Sequence, residues 1–188
     1  MRIISGKFGR RKINPPAKMP YTRPTTDVAK EGLFNILQNR MILEGAKTLD
    51  LFGGTGAISY ELASRGAADL TIVEKDGMMQ NFIQQNIKLL GMQQARVFRT
   101  DVFQFLENCN EIFDFIFAGP PYALSTIDEL PKIIIEKNLL STVGYFVLEH
   151  TPRNDYKDFK GYSFQRNYGT TVFSFFEKVD YKISERYK

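Results

Sequence analysis

The chain has 188 residues, one cysteine, one histidine and a formal net charge of +4. That length suits a single domain, and it buries enough surface to do without disulfide staples. The lone Cys109 excludes an internal disulfide framework, and His150 without a cysteine pair argues against a bound metal.

No apolar run approaches the roughly 20 residues that a membrane helix needs. The N-terminus is basic but lacks the apolar stretch of a secretory signal, so a cytoplasmic protein is expected. The charge is unevenly placed. Residues 1–30 hold eight Lys/Arg against one acid, Asp27, whereas the rest of the chain holds seventeen against twenty. A basic arm on a near-neutral domain suits a polyanion such as nucleic acid; the alternative is a solvated surface arm.

In chain order, residues 1–14 alternate weakly around Gly6 and Gly9, as a small β-hairpin would. Pro15, Pro16 and Pro20 make the next segment an irregular link. Thr25, Thr26 and Asp27 can cap a helix whose apolar stripe is Leu33, Phe34, Ile36 and Leu37. From Lys47 strands and helices alternate, the signature of a parallel sheet covered on both faces. Strands are expected near 47–52, 69–74, 95–99, 113–118 and 143–149, and helices near 56–65, 77–90, 102–108 and 126–138. Two β-like runs, 162–168 and 170–177, separated by Gly169, predict a terminal hairpin. Residues 179–188 form a charged tail.

The stretch 48–56 stands out. An apolar run ends in Phe52-Gly53-Gly54-Thr55-Gly56, and Ile58, Leu62 and Ala63 then recur at helical spacing. Strand, glycine loop and helix in that order let a ligand approach the backbone and meet free N–H groups. The dinucleotide fingerprint is incomplete, because Ser59 stands at its third glycine position. Glu74 closes the next apolar run, where a carboxylate can accept hydrogen bonds from both hydroxyls of a ribose. Those features point to an adenosine-bearing ligand; the plain alternative is an ordinary strand-to-helix turn.

Two further sites fall at the carboxyl ends of expected strands, where open α/β sheets bind ligands. Asp101 can receive the amine of an adenine, cap the following helix, or do both. After the fourth strand comes Gly119-Pro120-Pro121-Tyr122. The prolines make a rigid loop and remove backbone donors, leaving carbonyls to face a substrate amine. Tyr122 offers a flat face for a base; the alternative is a turn with a core tyrosine. Cys109 is read as a buried apolar residue, and His150 as a structural histidine rather than a general base.

These motifs resemble S-adenosylmethionine-dependent methyltransferases of the Rossmann-like class I. Arg2-Ile-Ile-Ser-Gly6, Arg23-Pro-Thr-Thr-Asp27, Glu31-Gly-Leu-Phe-Asn35 and Leu49-Asp-Leu-Phe52 resemble, more closely, bacterial small-subunit (16S) ribosomal RNA guanine-N2 methyltransferases. The similarity runs from Met1 to about Lys178 and keeps motif order.

The resemblance implies an α/β fold: a seven-stranded, mostly parallel sheet with helices on both faces and its last strand antiparallel between its neighbours. It implies an RNA-contacting basic arm over 1–24, a cofactor-binding domain over 25–178 and the tail over 179–188. S-adenosylmethionine would be held by Asp50, Phe52, Gly53, Gly54, Thr55 and Gly56 at its methionine part. Glu74, with Lys75 beside it, would hold the ribose, and Asp101 with Val102 the adenine. Gly119, Pro120, Pro121 and Tyr122 would form the catalytic loop. Arg10, Arg11, Lys12, Arg23, Thr25 and Thr26 would hold ribosomal RNA, free or in the assembled small subunit, with no metal and no membrane.

One departure matters. The family carries Asp-Pro-Pro-Tyr or Asp-Pro-Pro-Phe, and here Gly119 stands where that Asp should be. Three explanations compete: nearby carbonyls suffice, a neighbouring water or acid substitutes, or the enzyme is weakened. The rival readings are therefore a non-catalytic RNA-binding relative, a methyltransferase acting on another amine such as adenine N6 in DNA or a protein amine, and a nicotinamide oxidoreductase.

Overall fold

The computed structural model describes residues 1–17, 19 and 25–179. Its elements alternate as the apolar runs dictate: α1 (Asp27–Gln38), β1 (Lys47–Leu51), α2 (Ala57–Ser64), β2 (Asp69–Val73), α3 (Gly77–Leu90), β3 (Ala95–Phe98), α4 (Val102–Asn108), β4 (Phe113–Ala118), α5 (Glu129–Glu136), β5 (Leu140–His150), β6 (Tyr162–Tyr168) and β7 (Thr171–Glu177). The seven strands form one sheet in the order β3-β2-β1-β4-β5-β7-β6. β7 runs antiparallel between β5 and β6, and the pairs from β3 across to β5 are parallel. The order reverses at β1, whose neighbours are β2 and β4, and a ligand crevice opens at such a switch point.

Each face of the sheet carries its own core. One gathers Phe115, Phe117, Val147, Phe173 and Phe175 under α1 and α2, with Leu33, Phe34 and Leu62. The other gathers Leu49, Leu51, Phe113, Ile116, Phe146 and Phe176 with Leu106, Leu130 and Ile134 from α4 and α5. Phe115, Ile116, Phe117 and Ala118 show the period-two alternation of a strand buried on both sides, and Phe113, before the register shift against β5, departs from it. Cys109 lies buried in the second core.

The basic N-terminal segment is also part of the core. Residues 1–13 fold back on themselves through an Arg2–Lys12 antiparallel bridge, and Ile3, Phe8 and Ile13 are buried. The segment lies on α2, whose eight residues are all buried. The Glu61 carboxylate accepts the backbone N–H groups of Ile4 (2.7 Å) and Ser5 (3.1 Å), and Ser64 Oγ accepts that of Phe8 (2.9 Å). Gly6 sits at φ +79°, and a Cβ there would fall 1.8 Å from the Ser64 carbonyl oxygen, so only glycine lets the segment dock so closely. Lys30 is buried too, with Nζ donating to the Arg2 carbonyl at 2.5 Å; burial pulls its ammonium below the usual lysine range.

Two boundaries differ from expectation by more than two residues. α5 starts at Glu129 rather than 126, because Thr126–Asp128 form a turn, and β5 starts at Leu140 rather than 143. Its register against β4 shifts between Phe113 and Phe115.

Candidate active site

The loops at the carboxyl ends of β1, β2, β3, β4 and β5 enclose a cavity of about 710 Å³. Its lining brings together most of the residues singled out from the sequence. Asp50, Phe52, Gly53, Gly54 and Thr55 come from the first loop, Glu74 and Lys75 from the second, Asp101 and Val102 from the third, and Gly119, Pro120, Pro121 and Tyr122 from the fourth. Thr25 also lines it.

Gly56 does not line the cavity: it caps α2 at φ +78°, where a Cβ would strike the Tyr60 ring at 2.4 Å. Thr26 uses its hydroxyl to cap α1, accepting the Ala29 N–H at 3.2 Å. Arg10, Arg11 and Lys12 are exposed on the docked N-terminal segment, outside the cavity. Arg23 lies outside the described residues.

The first loop is held from both sides. Phe52 sits at φ +68°, a left-handed conformation that costs a non-glycine residue about 1–3 kcal/mol and tends to persist at functional sites. Gly54 donates its N–H to Glu74 Oε2 at 2.7 Å, and Glu74 Oε1 accepts the Asp76 N–H at 2.7 Å. Glu74 thus ties the loop after β1 to the loop after β2 and still keeps acceptor sites for a diol. Burial pushes its carboxyl above the usual range, against the pull of those N–H groups.

Asp50 is the more perturbed acid. Burial, partly offset by the Ser59 hydroxyl donating at 2.6 Å and reinforced by the Glu74 charge, pushes it up to about 7. Asp101 caps α4, accepting the Phe103 N–H at 2.9 Å, and pairs with Lys75 at 3.1 Å. Burial works to raise it, but Lys75 and the Phe103 N–H outweigh burial and hold it below the usual carboxylate range.

The fourth loop leaves β4 beside the end of β5. Ala118 pairs with Leu148, so Gly119 and Glu149 are the next residues on adjacent strands. A Cβ at Gly119 would lie 3.7 Å from Glu149 Oε2 and 3.1 Å from the Phe117 ring, and the backbone there is open to any L residue. Glu149 is 5% exposed, lines the cavity, and accepts the Thr25 hydroxyl at 2.5 Å. Glu149 was missed in the sequence. An acid at the carboxyl end of a parallel strand is the signal that marks it.

His150 proves structural. Its Nδ1 faces the Thr151 carbonyl at 2.8 Å, which only accepts, so Nδ1 carries the proton and Nε2 accepts from Ser174 Oγ at 2.8 Å. Burial lowers its basicity further. Among the described residues no group of three or more His, Cys, Asp or Glu could hold a metal, and no helix is long and apolar enough to cross a membrane.

Comparison with known proteins agrees with this geometry. A family model described as Conserved hypothetical protein 95 matches residues 1–177. The ribosomal RNA small subunit methyltransferase D of Escherichia coli is 30% identical over 154 residues, 82% of this chain and 76% of that protein. The chain belongs to the ribosomal RNA small subunit methyltransferase D family. A Bacillus subtilis protein described as an rRNA methyltransferase is 34% identical to this family member over 154 residues, covering 80% of this chain and 82% of that one. The solved structure of an Escherichia coli protein described as a methyltransferase superposes with a TM-score of 0.81 at 26% identity, covering 95% of this chain and 99% of the other. Members of the methyltransferase D family are S-adenosylmethionine-dependent rRNA methyltransferases of this Rossmann-like fold, and that is the class of this chain.

The donor set fits the family cofactor. The cavity offers carboxylates at successive stations: Asp50 by the glycine loop, Glu74 after β2 and Asp101 after β3. These suit an ammonium, a ribose diol and an adenine amine in turn. A dinucleotide would instead bring its pyrophosphate to the glycine loop beside buried Asp50, a like-charge contact whenever that acid is ionised. The lining therefore disfavours a nicotinamide cofactor.

Proposed function

We propose that this chain methylates the N2 amine of a guanine in 16S ribosomal RNA, in the free RNA or the small subunit. One observation carries the reading: the rigid Pro120-Pro121-Tyr122 loop shares a single cavity with the glycine loop and the Glu74 and Asp101 carboxylates. A base-binding corner and an adenosyl-binding cradle then open onto the same space.

When bound, S-adenosylmethionine supplies a sulfonium methyl group; the N–C bond forms as the C–S bond breaks, and the bonding pair stays on sulfur. The protein's part is positioning. Asp50 and the backbone of Phe52 to Thr55 hold the amino-acid part, Glu74 with Lys75 the ribose, and Asp101 and Val102 the adenine. The target guanine is taken out of its stack, and Tyr122, 39% exposed, lies against its face. Backbone carbonyls around Gly119 and Pro120 accept from the amine, whose lone pair is partly delocalised into the ring and gains from an aligned acceptor.

Arg10, Arg11, Lys12, Arg23, Thr25 and Thr26 are assigned to RNA. In this division residues 1–24 are the RNA-contacting arm, 25–178 the catalytic domain and 179–188 the tail. A bacterial ribosomal substrate assigns the protein to the cytoplasm.

Gly119 favours a second reading, an RNA-binding relative with little or no turnover. Mass spectrometry of N2-methylguanine in 16S RNA from cells with and without the gene decides between them. Loss of one methylated guanine without the gene is expected; an unchanged modification map would refute the guanine-N2 assignment.

A further inference from the structure

The departure at Gly119 leaves the base-binding corner without a side-chain acceptor on the loop itself. We infer that Glu149, on the adjacent strand, is the catalytic carboxylate that accepts the hydrogen bond from the target amine. The inference rests on the guanine-N2 reading above.

Three observations carry it. First, the register Ala118–Leu148 puts Glu149 beside Gly119, and its Oε2 lies 3.7 Å from the point where a side chain at 119 would begin. With glycine at 119, no Cβ stands between that oxygen and the loop. Second, Glu149 is 5% exposed and lines the cavity. Third, the Thr25 hydroxyl donates to Oε2 at 2.5 Å and fixes the side chain from the α1 end of the cavity. A carboxylate has about four lone-pair sites, so the Thr25 bond is compatible with accepting from an amine as well.

Glu149 then does what a carboxylate at 119 would do. It accepts one N–H of the guanine amine and turns the nitrogen lone pair toward the methyl group. As the N–C bond forms and the methyl–sulfur bond breaks, the nitrogen becomes positively charged, and the nearby carboxylate stabilises that charge. The surplus proton on nitrogen passes to Glu149 along the existing hydrogen bond and leaves to solvent when the cavity opens.

The other acids of the cavity have different duties. Asp50 is bonded to Ser59, Glu74 to Gly54 and Asp76, and Asp101 to Lys75 and Phe103. Asp50 lies on β1, which also flanks β4, but it pairs with Phe117, two residues short of Gly119; Glu74, Asp76 and Asp101 follow β2 and β3, which do not pair with β4.

The test uses the full chain and small ribosomal subunits from cells lacking the gene. Glu149→Gln keeps the shape and one acceptor oxygen but loses the charge. It should lower kcat by about 10²-fold, the scale of one lost transition-state hydrogen bond. The affinity for S-adenosylhomocysteine, measured by calorimetry, should stay within twofold of wild type, which also reports an intact fold. The decisive variant is the double change Gly119→Asp with Glu149→Gln, which moves the carboxylate one strand over. It should recover at least tenfold of the lost rate. A merely structural role for Glu149, holding Thr25, would not be rescued from position 119. A Glu149→Gln enzyme as fast as wild type, or a double variant no faster than Glu149→Gln, would overturn the assignment. Wild-type protein that binds the cofactor but methylates no guanine would instead overturn the guanine-N2 reading and this inference with it.

Discussion

Thr25, just before α1, donates its hydroxyl to Glu149 Oε2, at the end of β5, at 2.5 Å across 124 residues of chain. This bond closes one wall of the cavity and ties Thr25, just ahead of α1, to the carboxyl end of β5. A hydrogen bond to a charged group contributes about 1.5–3 kcal/mol. Thr25→Val, which keeps the shape, should lower the melting temperature by about 5 °C. It should also lower kcat/KM for small subunits several-fold while leaving S-adenosylhomocysteine binding intact. A variant indistinguishable from wild type in both melting and turnover would show that the contact does not organise the site.

Glu74 predicts a different pattern, because it is assigned to the cofactor's ribose in this scheme. Its two oxygens accept the N–H groups of Gly54 and Asp76. Glu74→Gln turns an NH₂ group toward one of those donors, so one backbone N–H loses its partner and the ribose loses its acceptor. We expect S-adenosylhomocysteine to bind about 10–100-fold more weakly by calorimetry, at about 1.5–3 kcal/mol for hydrogen bonds to a charged group. An unchanged affinity would remove Glu74 from the cofactor site.

Much of the architecture can be read from the chain, and what cannot has a physical reason. The runs Leu49–Phe52, Leu70–Val73 and Phe113–Phe117 are apolar over strand length apart from Asp50, Thr71 and Asp114, so the parallel sheet and its crevice are visible without coordinates. α2 is harder. Glu61 and Ser64 look like solvent-facing polar residues on a helix with a modest apolar stripe, yet both are buried, satisfying the backbone of Ile4, Ser5 and Phe8. Nothing local says that the N-terminus will return to cover them. Glu149 is hidden for a similar reason: its neighbour is Gly119, thirty residues away, and only the β4–β5 register joins them. Phe52 at φ +68° is another case, since the residue type argues against that conformation and the loop imposes it.

Asp50 gives a pH test. Its carboxyl is pushed up to about 7 in the folded protein, chiefly by burial, whereas an unfolded chain would hold it near 3.8. Between those values the native state binds a proton that the unfolded state does not. Its contribution to stability is therefore full below the unfolded value and is lost as pH rises from about 4 to 7. Thermal melts of the cofactor-free protein should show this decline, at up to roughly 1 kcal/mol per pH unit, and Asp50→Asn should flatten it. Binding an ammonium next to Asp50 favours the ionised form. At pH 6, S-adenosylhomocysteine should thus release close to one proton from wild type and none from Asp50→Asn, read by calorimetry in buffers of different ionisation enthalpy. Equal proton release from both would mean that Asp50 does not meet the cofactor's amino group.

Tyr122 is the stacking surface in this scheme. Replacing an aromatic platform under a base by alanine costs about 1–3 kcal/mol. Tyr122→Ala should therefore lower kcat/KM for small subunits about 10–100-fold, while Tyr122→Phe keeps most of the activity because the ring face remains. If the alanine variant turned over at the wild-type rate, the flipped base would have to lie elsewhere.

The basic N-terminal segment cannot be tested by truncation, since Ile3, Phe8 and Ile13 are core residues and their removal would strip the cover from α2. Charge removal is the cleaner experiment. Arg10, Arg11 and Lys12 are exposed, so alanine there costs little in stability. If each neutralises a phosphate, binding of a single-stranded 16S fragment should weaken with log salt, by a slope of about 0.7 for each contact. The triple alanine variant should then bind more weakly at low salt, and its slope should be shallower by about 2, with S-adenosylhomocysteine affinity unchanged. A slope equal to that of wild type would mean that these side chains are solvated and that the RNA path runs over another face.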